Sequence, residues 1–392
     1  RRLRNIIWRL KLAITAFSTA ANGVKQLRQS LKTGYPATIE RRNVLRNLDL
    51  PNSILRSTDF CGFSRMTLHI TATIERWPVD GHFTIARGAK QFVDLLVVTV
   101  SDGTHIGYGE GTAIYYQGET AEKCLGQVER FSDELGGHPV PIAREILQSI
   151  LPPGAARNAL DCALWDLEAK QAGVALWALV GMATPPLPLQ TAFTISLVAP
   201  EAMHADARSA ADKGYGLLKL KLNGEADRDR VAAVRAGAPN AQIIVDANES
   251  WGGIDIAAEA EALKNLGVAM IEQPLPAGRD AALADISSPL LIVADESCHI
   301  AADVARLRGL YQGVNIKLDK AGGLTEALAL RKAAENAKIQ VMVGCMLSTS
   351  LAIQPAFLVA QKAEWVDLDG PALLLNDRPF GFVFANGCLS PA

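Results

Sequence analysis

Residues 216–298 read GLLKLKLNGEADRDRVAAVRAGAPNAQIIVDANESWGGIDIAAEAEALKNLGVAMIEQPLPAGRDAALADISSPLLIVADESC. Four short apolar runs, LLKLKL, QIIVDA, VAMIEQP and LLIVADE, alternate with longer stretches that contain Ala and charged residues. Short apolar runs with β-branched residues read as buried strands, and the longer stretches as helices. The alternation continues in both directions. LQTAFTISL (189–197) precedes it, and GVNIKLDKAGG (313–323), IQVMVGCML (339–347) and AEWVDLDGP (363–371) follow, with EAMHADARSAADKG (201–214) and LTEALALRKAAENA (324–337) as further helices. Marker positions near the run ends, Lys219, Asp246, Glu272, Asp295, Lys317, Gly344 and Asp369, are spaced by 27, 26, 23, 22, 27 and 25 residues. Such even spacing is what repeated βα units produce. Eight strands predict an α/β fold of the TIM-barrel kind. A doubly wound open sheet is the runner-up, but no G-x-G-x-x-G follows the first strand. Residues 372–392 are too short and too poor in helix signals for an eighth outer helix, so the expected form is a modified TIM barrel, (β/α)7β.

The chain before the barrel has a different grammar. MTLHITATIERW (66–77) alternates as a strand does, FVDLLVVTVSDG (92–103) is an apolar strand ending in a turn, and IGYGEGT (106–112) continues the sheet. AARNALDCALWDLEAKQAG (155–173) carries Leu160, Ala163, Leu164 and Leu167 at helical spacing, with Gly173 as a stop. The expected organisation is an α+β capping domain over 66–188, completed by the tail 372–392, a Pro-rich hinge at TPPLPL (184–189), and a barrel catalytic domain over 189–371.

Composition narrows the class. The 392 residues are 49% apolar and 20% charged with a net charge of −2, which excludes disorder and disulfide-stapled mini-proteins. The average conceals an asymmetry. Residues 1–65 hold 13 Lys/Arg against 3 Asp/Glu, or +10, which leaves 26 against 38, or −12, for the other 327. The first Met is Met66, so 1–65 reads as a basic extension foreign to the enzyme or disordered, with a transit-like helix at 5–21 as the minor alternative. With that arm set aside, neither nucleic acid nor a membrane is an expected partner, and no apolar run reaches the ~20 residues of a membrane span. The six Cys form no C-x-x-C pair, consistent with reduced thiols and a cytoplasmic protein.

The run ends carry the chemistry. In a barrel the C-terminal strand ends open into one mouth. Asp246, Glu272 and Asp295 come from three consecutive strands, and three carboxylates brought together repel unless a cation holds them. Oxygen ligands with no Cys or His nearby suit Mg²⁺, with Mn²⁺ as substitute. Lys219 and Lys221 are two apart and share a strand face. Lys317 lies four strands further on, across the barrel from Lys221. A lysine beside a second ammonium has its pKa lowered and can act as a base. On this reading Lys219 tunes Lys221. Lys221 and Lys317 on opposite faces of a substrate carbon would remove a proton from one side and return it on the other, as in a racemase or epimerase. A carbon acid next to a carboxylate yields its proton only where strong positive charge meets the resulting enediolate, which is the metal's task.

These residues resemble the enolase superfamily in its muconate-lactonizing subgroup. The resemblance runs from about Met66 to the C-terminus through ARNALDCALWDL, KLKL, VDANESW, EQPLP, ADESCH, NIKLDKAGGLTEAL, GCMLSTS and DLDGP. Within that subgroup it looks like the L-Ala-D/L-Glu (dipeptide) epimerases, mainly on DLDGP. The resemblance implies that Asp246, Glu272 and Asp295 bind Mg²⁺, that Lys221 and Lys317 are the two acid/base groups, and that Asp367 and Asp369 bind the α-ammonium of a dipeptide. It implies 1,1-proton transfer at the Glu α-carbon and a role in recycling murein peptides. Loops near 77–90 and 110–119 are expected to close over the barrel mouth. There Lys90 stands where relatives place an arginine against the substrate's Glu side chain, with Arg87 as a lesser candidate or a loop support. A homo-oligomer is compatible with this family. The competing readings are an o-succinylbenzoate synthase or muconate cycloisomerase of the same superfamily, a Schiff-base aldolase barrel using Lys317 or Lys221, and a non-catalytic binder.

Overall fold

The computed structural model describes residues 67–392, so the expectation about 1–65 lies outside the described residues. Three antiparallel strands come first: β1 (His69–Ile85), β2 (Gly88–Ser101) and β3 (Ile106–Thr112), in the order β1-β2-β3. The predicted loop at 77–90 is instead the outer half of the long β1–β2 hairpin, with a register shift between Pro78 and Phe83. The strands continue because main-chain pairing resumes at Phe83↔Lys90. Helices Ala121–Gly136, Val140–Ile150 and Ala155–Ala172 share a core with this sheet built on Leu96, Val98, Leu147, Leu160 and Leu164. Gly173, at φ 64°, ends the last of them. That helix sits very close to β3: a Cβ on Gly109 would stand 2.0 Å from the carbonyl oxygen of Ala159.

After the hinge, β4 (Leu189–Gln190) leads into eight parallel strands: β5 (Phe193–Ile195), β6 (Leu217–Lys221), β7 (Gln242–Asp246), β8 (Val268–Glu272), β9 (Leu291–Ala294), β10 (Gly313–Ile316), β11 (Gln340–Gly344) and β12 (Trp365–Asp367). Ala192 N donates to Val366 O at 2.8 Å and brings the first strand against the last. The fold is therefore a modified TIM barrel with a capping domain. Its alternation follows the two-residue period of a strand. Leu217, Ile244, Met270, Val293 and Met342 fill the barrel interior, while their neighbours Leu218, Ile243, Val245, Ile271 and Ile292 pack in the core shared with the outer helices. Counting on by two from the interior residues places Lys219, Lys221, Asp246, Glu272 and Asp295 on the interior face.

No outer helix follows β12. The tail splits its contacts. Leu375 N donates to Pro78 O at 2.9 Å, and Arg378 reaches Glu75 and the fully buried Glu110 of the capping sheet at 2.8 and 2.9 Å. Of the last strands, β13 (Val383–Ala385) pairs with β14 (Cys388–Ser390), and β14 pairs in turn with β4. Among the described residues the cysteines are free thiols, and no helix is long and apolar enough to cross a membrane.

Candidate active site

The C-terminal strand ends converge as their alternation requires. One carboxylate oxygen each from Asp246, Glu272 and Asp295 lies within 4.8 Å of the others, and all three residues are buried. Four lysines stand against them. Lys219 Nζ lies 2.7 Å from Glu272 Oε2, 2.8 Å from Asp367 Oδ2 and 3.4 Å from Asp246 Oδ2. Lys221 donates to Asp246 Oδ2 at 2.6 Å, and Lys317 to Asp295 Oδ2 at 2.7 Å. Lys320, which sequence reasoning missed, places its ammonium 2.6 Å from Asp295 Oδ1 and donates to the carbonyls of Asp295, Cys298 and Asn315.

Charge repulsion and burial divide the three carboxylates. Burial and then the Asp246 carboxylate push Glu272 up to about 7. Burial would raise Asp246 as well, but the Lys221 and Lys219 ammoniums outweigh it and hold the group at about 2. Lys317 and Lys320 likewise overcome burial at Asp295 and keep it well below the carboxylate range. At Lys219 and Lys317 the neighbouring carboxylates set the direction of the shift. Burial opposes their charge, yet Asp367 and Glu272 raise Lys219, and Asp295 raises Lys317. The carboxylates are closer and more numerous than the neighbouring ammoniums, and proximity decides the sign.

The donor set suits a hard divalent cation: three buried carboxyl groups, with no sulfur or imidazole among them. Glu272 Oε2 and Asp295 Oδ1 have ammoniums nearby but no hydrogen bond of acceptable alignment, which leaves lone pairs for a metal.

A cavity of about 190 Å³ opens above this cluster. Lys219, Lys221 and Lys317 line it together with Asp295, Asp367 and Asp369. Asp369 accepts from Thr194 N at 2.7 Å, and burial followed by the Asp367 charge raises it to about 7. Both carboxyl groups line the cavity, and Asp367 is paired with the Lys219 ammonium. Lys90 also lines it, with its ammonium 4.5 Å from the centre of the Tyr115 ring, and burial lowers its pKa. Arg87 is tied down. It bonds Glu296 at 2.8 Å and Glu249 more closely, and it lies over the Tyr116 ring. The hairpin tip is thereby fastened to two barrel loops. Glu296 and Glu249 had a faint sequence signal: each is a second acid beside a strand-end motif, in ADESC and DANES.

Fold and site together define a barrel enzyme with a carboxylate cluster and facing lysines at its mouth. The chain belongs to the mandelate racemase / muconate lactonizing enzyme family of the enolase superfamily. The model of its N-terminal domain matches residues 67–181, and that of the enolase C-terminal domain-like fold matches 202–391. The L-Ala-D/L-Glu epimerase of Escherichia coli K12 is 43% identical over 313 residues, which are 80% of this chain and 96% of that protein. The N-acetyl-D-glutamate racemase of a Pseudoalteromonas species is 41% identical over 76% of this chain and 93% of its own. An enolase family member from Agrobacterium tumefaciens with homology to dipeptide epimerases, solved with sodium and L-Ala-L-Glu, superposes with a TM-score of 0.79 at 46% identity, covering 83% of this chain and 98% of that one. Solved dipeptide epimerases of the same fold also hold Mg with a dipeptide.

Proposed function

We propose that the protein is a Mg²⁺-dependent dipeptide epimerase acting on L-Ala-D/L-Glu, an isomerase of amino acid derivatives. The observation that carries this reading is the cavity itself. Lysines from the second and sixth barrel strands line it, Asp295 joins it to the Asp246–Glu272–Asp295 cluster, and Asp367 and Asp369 line its wall. Asp246, Glu272 and Asp295 would hold Mg²⁺, which when bound supplies the positive charge that stabilises the anion formed as the α-proton leaves. Lys221 and Lys317 are each paired with one of those carboxylates, Asp246 and Asp295. Lys221 and Lys317 then act from opposite faces, one removing the α-proton and the other returning a proton. Asp367 and Asp369 receive the dipeptide's ammonium, a charge-assisted contact. Lys219, shared among Asp367, Glu272 and Asp246, keeps the cluster together and lies two residues below Lys221. Lys90 faces the side-chain carboxylate as a point charge, a looser recognition than a bidentate arginine. Recycling of cell-wall peptides in the cytosol, and assembly into a homo-oligomer, complete the proposal.

The test is α-hydrogen exchange in D₂O with Mg²⁺ present. L-Ala-D-Glu should gain deuterium and convert to L-Ala-L-Glu; no incorporation would sink the reading. N-acetyl-D-Glu is the informative competitor, because it lacks the ammonium that the D-x-D pair is suited to bind. If it turned over as well as the dipeptide, the roles of Asp367 and Asp369 would have to be reassigned.

A further inference from the structure

Helix Ala155–Ala172 carries polar side chains where it is most buried. Arg157, Asn158 and Asp161 are at most 5% exposed. Burying such groups is costly unless each is paired. Their partners converge on one short stretch, the turn that leaves Lys317. Asn158 Nδ2 donates to Asp319 Oδ1 at 2.8 Å, and Thr112 N of β3 donates to the same oxygen at 2.9 Å. Arg157 donates to the carbonyls of Ala321 and Gly322 at 2.6 and 3.1 Å. Asp161 accepts from Thr325 N and Thr325 Oγ1 at 2.8 and 2.6 Å. The turn is shaped for these contacts. A Cβ on Gly322 would stand 2.3 Å from Arg157 Nε, and one on Gly323 2.5 Å from Asp161 Cβ.

Lys317 is the N-cap of the one-turn helix Leu318–Ala321, and its carbonyl accepts from Ala321 N at 2.9 Å. A shift of the turn would therefore move the lysine. We propose that Arg157, Asn158 and Asp161 are positioning residues that hold the 318–325 turn, and through it the Lys317 ammonium, on one face of the substrate. None of them lines the cavity. Lys221, on β6, receives no such support from this helix. The proposal rests on the two-base reading above.

That asymmetry supplies a test that general loss of stability would not mimic. Asn158→Ala, and the milder Thr325→Ala should the first fail to fold, are compared with wild type by α-deuterium incorporation from each epimer separately. The expected result is a loss of ~10- to 100-fold for the epimer deprotonated by Lys317, the scale of a small misplacement of a reacting group. The other epimer should still exchange at close to the wild-type rate, without inverting. Backbone hydrogen exchange over 318–325 should rise, with Mg²⁺ affinity unchanged. Equal slowing of both epimers, or no slowing in either variant, overturns the proposal while leaving the two-base reading in place. A wild-type protein inert toward both epimers would overturn that reading, and this proposal with it.

Discussion

Burial and then repulsion within the cluster act most on Glu272, which is pushed up to about 7 while Asp246 is held at about 2. A metal ligand must be deprotonated, so protons and Mg²⁺ compete at this group. Mg²⁺ affinity is expected to be nearly constant above pH 8 and to fall by up to about tenfold per unit as pH drops below 7, the limit for one displaced proton. Titration calorimetry at pH 6, 7 and 8, in buffers of different ionisation enthalpy, reads both the affinity and the proton released; a flat profile would contradict the assignment. Lys320 makes a second prediction. It is fully buried and faces Asp295. Replacing it with Met keeps the bulk but leaves Asp295 short of one partner, and breaking a buried pair costs about 3–5 kcal/mol. Urea denaturation without metal should show a loss of that order, and Mg²⁺ should bind at least as tightly, because the cation no longer competes with the ammonium for Asp295.

The decisive elements are the short turns that follow the strands. Gly322 and Gly323 have φ of 78° and 118°, and both lie under polar side chains of helix Ala155–Ala172. Gly118 has a similar φ of 79° with nothing within 4 Å of a would-be Cβ. Gly118→Ala should therefore cost about 1 kcal/mol of backbone strain, whereas Gly322→Ala should cost several kcal/mol, because overpacking adds to that strain. Equal urea midpoints for the two variants would mean that the clasp yields easily. The comparison also marks how far motifs could be read. AGG after Lys317 was visible as text, and ARNALD as a helix start. Their reciprocal fit was not, because 165 residues separate Arg157 from Gly322 and no local pattern links polar side chains across that distance.

For the whole molecule, the metal acts as a ligand of the folded state alone. Saturation at a hundredfold over Kd should add about 2.7 kcal/mol of stability and raise the melting temperature by several degrees, with EDTA reversing the gain. Scanning fluorimetry against MgCl₂ measures this, and CaCl₂ serves as the comparison for a larger ion. Absence of any shift at saturating Mg²⁺ would separate the carboxylate cluster from metal binding.

The eight-strand period, the barrel class and the convergence of Asp246, Glu272 and Asp295 were legible from the sequence alone. They follow from local rules: alternation every two residues, a βα repeat of about 25, and a parallel barrel that gathers its strand ends in one mouth. The placement of Lys219, Lys221 and Lys317 on the inner face followed from the same parity. The tertiary structure decided the rest. It turned the expected 77–90 loop into a hairpin and fastened Arg87 to Glu249 and Glu296. It added Lys320 to the cluster, and it set carboxylates beside Lys219 and Lys317 that raise both pKa values against burial. Each of these depends on distances between groups far apart in the chain, where burial and the count of nearby charges set the outcome. Neither quantity is local to a stretch of sequence.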